Sequence, residues 1–253
     1  MPPEPLLEAT GIVKAFGSFR AVDGAGLTVR EGEIVGLIGP NGAGKSTFFN
    51  CLAGDTQPTA GLIRFAGQEV TRAPADAHAR AGMARSFQVP VTFEDMTVLE
   101  NVMVGAFLRH PHRRDARERA REMLEVTGLA RQAEARAGGL GTPGRKRLEI
   151  ARALATEPRL LLLDEALAGL NPTEVRDAIG FVRGLHARGI TLIVVEHIME
   201  VILSLAERAV VFNQGKVIAE GVPRAVVDDP AVVEAYIGRS LAGRRLRRRR
   251  NPP

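Results

Sequence analysis

The sequence predicts an α/β fold: a mixed sheet core, antiparallel strands at its N-terminal side, and a helical subdomain inserted midway. Three observations lead there. A glycine-rich turn, Gly39–Thr47, joins the apolar run Ile34–Ile38 to Phe48–Ala53, which can continue as a helix. Two more apolar runs, Arg159–Leu163 and Ile190–Val195, are separated by a helical segment, the pattern of parallel strands buried on both faces. Between about residues 90 and 140 the strand pattern gives way to helical spacing.

Taken in order, residues 6–38 alternate apolar and polar positions, with turn signals at Gly17, Asp23-Gly24 and Glu31-Gly32, and read as antiparallel strands. Gly61–Gly67 is a further strand and turn, Ala73–Ala81 a short helix with Pro74 at its start, and Met83–Val89 a short strand ending in Arg85-Ser86-Phe87-Gln88. Thr97–Arg109 and Arg113–Thr127 have helical spacing, the second with Met123, Leu124 and Leu129 on its apolar side. Arg145–Thr156 is the next helix. Asn171-Pro172-Thr173-Glu174 has the cap, first-turn proline and reciprocal Glu of a helix start. Ala209–Phe212 and Lys216–Ala219 form a hairpin around Asn213-Gln214-Gly215, and Pro230–Ile237 is a last helix.

Charged residues at 25% and hydrophobic ones at 45% of 253 residues describe an ordinary soluble domain. The single cysteine, Cys51, excludes an internal disulfide and reads as a small buried filler. The N-terminus lacks a cationic, apolar leader, and no apolar run approaches the roughly 20 residues that span a bilayer, so the chain is not expected to cross a membrane. The net charge of +5 is concentrated in Arg244, Arg245 and Arg247–Arg250; without them the body is close to neutral. Such a tail suits a solvated disordered end, an anionic lipid surface or nucleic acid.

The Gly39-Pro40-Asn41-Gly42-Ala43-Gly44-Lys45-Ser46-Thr47 segment, between strand and helix, is a phosphate-binding P-loop. Its glycines let backbone N–H groups curl around phosphate oxygens, and the helix that follows points its positive end at the same anion. Lys45 would reach the β- and γ-phosphates, and the Ser46 hydroxyl would sit on Mg²⁺. Downstream, Leu160–Leu163 ends in Asp164-Glu165: an Asp placed to hold Mg²⁺ and a Glu placed to take a proton from an attacking water. Ile190–Val195 ends in Glu196-His197. Phe16, ahead of the loop, offers a face for adenine or packs as core; its position alone leaves both open.

These motifs, over nearly the whole chain, resemble the ATP-binding subunits of ABC transporters. Arg85-Ser86-Phe87-Gln88, Leu148–Leu154, Leu160–Glu165, Ala168–Pro172 and Val195-Glu196-His197 carry the match with the P-loop. Thr97–Val102 and Val233–Gly238 look most like the branched-chain amino acid transport subfamily. The resemblance implies a P-loop NTPase of ABC type over residues 1–240, a helical subdomain over about 90–140, and a disordered basic tail over 241–253. It makes Phe16 the adenine-stacking residue, Gln88 a sensor of Mg²⁺ and the attacking water, Asp164 the Mg²⁺ ligand, Glu165 the general base, and His197 a γ-phosphate contact that positions the base.

It also implies two integral membrane permease subunits, whose coupling helices dock on the helical insertion, a second ATPase subunit, and indirectly a solute-binding protein. No nucleic acid is expected as a partner. The setting is the cytoplasmic face of the membrane, and the cargo a branched-chain amino acid or, alternatively, urea, a short-chain amide or another small polar solute. A soluble ABC ATPase acting on nucleic acid or ribosomes is the reading from a different class; only the arginine tail favours it.

One segment departs from the family pattern. Where such proteins carry Leu-Ser-Gly-Gly-Gln, this chain has Leu140-Gly141-Thr142-Pro143-Gly144. Gly141, Thr142 and Gly144 would meet ATP held by the opposite subunit, but the serine hydroxyl is missing and Pro143 has no N–H. Thr142-Pro143 is expected to serve as cap and first turn of the helix. Either the remaining donors suffice, or the pair of ATPase subunits is an asymmetric heterodimer; the heterodimer is the expectation.

Overall fold

A computed structural model describes residues 4–87, 89–165 and 171–237. Strands β1 (Leu7–Phe16) and β2 (Phe19–Val29) form an antiparallel hairpin, and β3 (Ile34–Ile38) leads through the glycine-rich loop into α1 (Lys45–Leu52). Next come β4 (Ala60–Phe65), β5 (Gln68–Glu69), α2 (Ala75–Ala81) and β6 (Met83–Arg85). Helices α3 (Val98–Ala106), α4 (Arg113–Thr127) and α5 (Thr142–Leu154) precede β7 (Leu160–Asp164), α6 (Pro172–His186) and β8 (Thr191–Val195). The chain closes with α7 (Met199–Leu205), β9 (Arg208–Asn213), β10 (Lys216–Gly221), α8 (Pro223–Val227) and α9 (Pro230–Ile237).

Two sheets result. One, antiparallel, has the order β2-β1-β4-β5; the other has the order β10-β9-β3-β8-β7-β6 and is parallel except at β10. The expectation for residues 6–38 therefore needs dividing. Gly17 does turn a hairpin, but β3 leaves the antiparallel group to become a central strand of the parallel sheet. Asp23-Gly24 is no turn: it lies inside β2, where Gly24 at φ 77° accompanies a shift of register against β1. An irregularity in the ladder absorbs the positive φ that sequence alone attributes to a chain reversal.

The continuous leucine run of β7 is explained by its two-sided burial. Leu160 and Leu162 join a core with Phe48, Phe49 and Leu52 of α1 and with Leu7, Ile12 and Ile63 of the antiparallel sheet. Leu161 and Leu163 face the other way, into a core shared with α3, α4, α5 and α6. Helix α1 is thus held between two sheets; Phe48 and Phe49 are fully buried, each worth roughly 2–3 kcal/mol of transfer free energy. The Phe48 and Phe212 rings meet at 4.9 Å between centroids, tying α1 to β9.

Helix α3 starts at Thr97 with a full capping box to Glu100, and α6 starts at Asn171 with another to Glu174. Helix α5 is different. Its cap is Gly141 and no side chain fills it, so Thr142 is the first helical residue and not the cap that its side chain suggests. Its packing against α3 and α4 carries the helical layer past residue 140.

Candidate functional site

The glycine-rich loop sits at the C-terminal end of β3, where parallel sheets present ligands. Its shape depends on two glycines. Gly39, at φ 147°, presses against the Phe212 carbonyl, and Gly44, at φ 100°, against the Ala21 carbonyl, so a Cβ at either position would collide with backbone. The loop is braced from below: Gly215 N donates to the Ala43 carbonyl at 2.8 Å, and Asp23 N to the Gly215 carbonyl at 2.8 Å. Gly44 caps α1 in a left-handed conformation without a side-chain hydrogen bond, which leaves first-turn N–H groups of α1 to an anion.

Lys45 is buried and donates to the carbonyls of Gly39 at 2.7 Å and Pro40 at 3.1 Å. Burial lowers its pKa, while Glu165 and Asp164 pull it back up. Asp164 is buried at the end of β7; its backbone N–H donates to Ser86 Oγ at 3.2 Å, and Arg85 Nη2 stands 3.4 Å from its carboxylate. Burial raises the Asp164 pKa, against the opposing pull of Arg85 and Lys45. Glu165 takes a left-handed φ of 46°, rare for a side chain of its kind, and its N–H donates to the Val195 carbonyl at 2.9 Å.

A cleft of about 750 Å³, large enough for a nucleotide, is lined by Gly39, Pro40, Asn41, Gly42, Ala43, Gly44, Lys45, Ser46 and Thr47 together with Glu165 and His197. Two aromatic residues join that lining without having been singled out for it. Tyr236 of α9 lines the cleft beside Gly39; burial pushes its hydroxyl pKa up, and the Gly39 backbone works against that. Phe19, not Phe16, is the phenylalanine on the cleft wall; Phe16 pairs with it across the hairpin and carries the Lys14 ammonium over its ring at 5.1 Å. The β1–β2 register, invisible in a linear sequence, pairs Phe16 directly with Phe19 and so puts the two rings on one face of the hairpin.

Gly141, Thr142 and Pro143 are exposed at the uncapped start of α5, remote in sequence from the loop and absent from its cleft. Gln88, Ala168–Leu170, Gly238 and the arginine tail lie outside the described residues. Cys51 is buried in α1, and burial pushes its thiol up to about 11, so it stays protonated at neutral pH.

Arg85 is a hub that the sequence does not announce. Besides Asp164 it donates to Asn50 Oδ1 at 2.8 Å, pairs with Asp55, and lies over the Phe49 and Phe87 rings. Beside it a groove of about 220 Å³ runs between α2 and β6 on one side and α3 and α5 on the other. Phe87, Val89, Val91, Phe93, Val104 and Phe107 are all exposed. Phe87 and Val104 line the groove, and so many exposed apolar side chains are uncommon on a monomer surface.

No helix among the described residues is long and apolar enough to cross a membrane. No group of three or more His, Cys, Asp or Glu side chains among them could hold a metal ion. A Mg²⁺ held by one hydroxyl, one carboxylate and substrate phosphates remains compatible with that, because this ion rarely uses an all-protein cage.

Residues 22–168 match the family model described as ABC transporter, and residues 216–242 that of the branched-chain amino acid ATP-binding cassette transporter. The chain is 41% identical over 250 residues to the high-affinity branched-chain amino acid transport ATP-binding protein BraF of Pseudomonas aeruginosa, covering 92% of this chain and 98% of that protein. It is 39% identical over 251 residues to the corresponding LivG of Escherichia coli, covering 93% and 98%. Among solved structures, the ADP conformation of an ATP-binding cassette of an ABC transporter superposes with a TM-score of 0.84 at 33% identity, covering 94% of this chain and all of that one.

Proposed function

The chain belongs to the ABC transporter family of ATP-binding subunits, and from that premise we propose that it hydrolyses ATP to drive import of branched-chain amino acids. The observation that carries the reading is the loop cleft, where Lys45, Ser46, Glu165 and His197 share one wall. The relatives' names supply the cargo.

The loop N–H groups and Lys45 bind the phosphates, with Lys45 exchanging the Gly39 and Pro40 carbonyls for phosphate oxygens. The exposed Phe16–Phe19 pair at the hairpin end offers adenine a stacking surface. Ser46, Asp164 and Gln88 would hold Mg²⁺, which when bound would supply positive charge to the substrate's phosphates. Asp164 and Lys45 lie close enough to shift each other's titration, as a shared phosphate site requires. Glu165 accepts the proton of the attacking water, and His197 holds the γ-phosphate and the base in register. Rate enhancement comes mainly from positioning and from charge placed ahead of the reaction.

The second wall comes from another ATPase subunit, whose equivalent of Gly141–Gly144 closes over this cleft. The exposed groove beside Phe87 suits a coupling helix from one permease subunit, and in this reading the chain lies against the cytoplasmic face of the membrane. The test is reconstitution with the two membrane subunits, the second ATPase subunit and the solute-binding protein. Leucine-stimulated ATP hydrolysis is expected, abolished in Lys45→Ala; hydrolysis indifferent to leucine, isoleucine and valine would overturn the cargo but not the ATPase.

A further inference from the structure

The backbone changes allegiance one residue before Gln88. Ser86 still belongs to the sheet: its N–H donates to the Leu162 carbonyl at 2.8 Å and its hydroxyl accepts from Asp164 N. From Phe87 onward the anchors come from the helices. Phe87 N donates to Glu149 Oε1 at 3.1 Å, and the Val91 N–H helps to lower the Glu149 pKa against burial. Arg152, one turn further along α5, donates to the Val91 carbonyl at 2.6 Å and stands over the Phe93 ring at 5.3 Å. Asn101 of α3 completes the attachment, accepting from Phe93 N at 2.9 Å and donating back to its carbonyl at 3.0 Å.

Glu149 is 3% exposed, two turns into a helix whose neighbouring positions Leu148, Ile150 and Ala151 are apolar core. A buried carboxylate is costly unless it satisfies donors. An apolar side chain of similar size would leave the Phe87 N–H without its acceptor. The residue is therefore poorly suited to filling space and well suited to holding a loop.

We propose that Glu149 is a positioning residue: its carboxylate, with Arg152, ties the loop that carries Gln88 to α5, so the loop follows the helix whose exposed N-terminus faces the opposite subunit's ATP. Helix α5 then connects two half-sites. Its start senses closure on one nucleotide, and its second and third turns set the loop that serves the other. This rests on the reading of Gln88 as a residue acting on the attacking water.

The experiment uses the full complex with its membrane subunits and second ATPase subunit, and measures kcat and KM for ATP in Glu149→Ala, Glu149→Gln, Gln88→Ala and the Gln88→Ala/Glu149→Ala double variant. Glu149→Ala is expected to lower kcat about tenfold with KM within about twofold, because only the transition-state geometry is disturbed. Glu149→Gln, whose amide oxygen still accepts from Phe87 N, is expected to recover at least about half of the lost rate. The double variant is expected to fall no more than about twofold below Gln88→Ala, since both changes act through one element.

Wild-type kcat in Glu149→Ala, a loss confined to KM, no recovery in Glu149→Gln, or losses that multiply in the double variant would each overturn the proposal. A defect in Gln88→Ala with none in Glu149→Ala defeats the tether alone; no defect in Gln88→Ala defeats the reading beneath it. If Glu149→Ala fails to assemble, Glu149→Asp, one methylene short, gives the same comparison: about a threefold loss in kcat supports the tether and an unchanged kcat overturns it.

Discussion

Helices α1 and α5 both begin uncapped, and the two beginnings are not equivalent. Gly44 starts α1 behind a braced loop, with a buried Lys45 aimed at the same space. Gly141 starts α5 at the surface, and the second helical residue is Pro143, which offers no N–H. Their interiors differ as well: α1 buries a neutral Cys51 between two sheets, whereas α5 buries Glu149, and burial pushes that carboxyl up to about 7. Helix α1 is built as a fixed anion site. Helix α5 offers one N–H fewer at an exposed start and encloses a titratable interior.

The largest effect that could break this contrast comes from comparing the two half-sites. Glu165→Gln is expected to lower hydrolysis at the α1 site by about 10²-fold or more while ATP binding persists, because a general base is removed from a pre-formed cleft. The same change in the second ATPase subunit is expected to cost the complex much less. Equal losses measured by steady-state ATPase would remove the asymmetric heterodimer and leave backbone donors as sufficient.

A smaller effect concerns the buried carboxyl. The folded protein keeps the Glu149 proton up to about pH 7, whereas an ordinary carboxyl near 4.5 has released it, so stability attributable to this group falls as pH rises across that window. The loss amounts to roughly 3 kcal/mol by pH 8. Arg152 and Arg85 moderate it, and the Asp55 carboxylate lines the same groove. Glu149→Gln should flatten thermal-midpoint profiles between pH 5 and about 8 relative to the wild type; parallel profiles would show that the carboxyl is ionised throughout.

Pro143→Gly tests the missing donor directly. Restoring one N–H toward a charged phosphate is worth about 1.5 kcal/mol or more, so turnover at the reciprocal site is expected to rise about tenfold. An unchanged rate in single-turnover measurements would mean that Thr142 and Gly144 already suffice. Helix α6 provides the control with the smallest effect. Its N-terminus is closed by Asn171, whose side chain accepts from Thr173 and Glu174, so it offers no anion site. Asn171→Ala is expected to cost about 1 kcal/mol in urea unfolding, as loss of a cap does.

What could be read without the structure was whatever is local in sequence. The loop needs a glycine-rich turn between strand and helix; parallel strands need unbroken apolar runs; Asn171 caps by reaching two and three residues ahead. Each of these is complete within about ten residues, so composition and spacing reveal it. Asp23-Gly24 misleads for the same reason: the dipeptide is a good turn by itself, and only pairing with β1 makes it an irregularity within a strand.

The sequence by itself determined the α/β class, the phosphate loop and the family, because backbone geometry and two-sided burial constrain residue type at every position involved. The tertiary structure decided which phenylalanine lines the cleft, that Tyr236 lines it too, that Arg85 joins α1 to Asp164, and that Glu149 holds Phe87 across 62 residues of chain. Those are contacts between elements distant in sequence. Their partners are chosen by register and packing, which no periodicity within a single segment encodes.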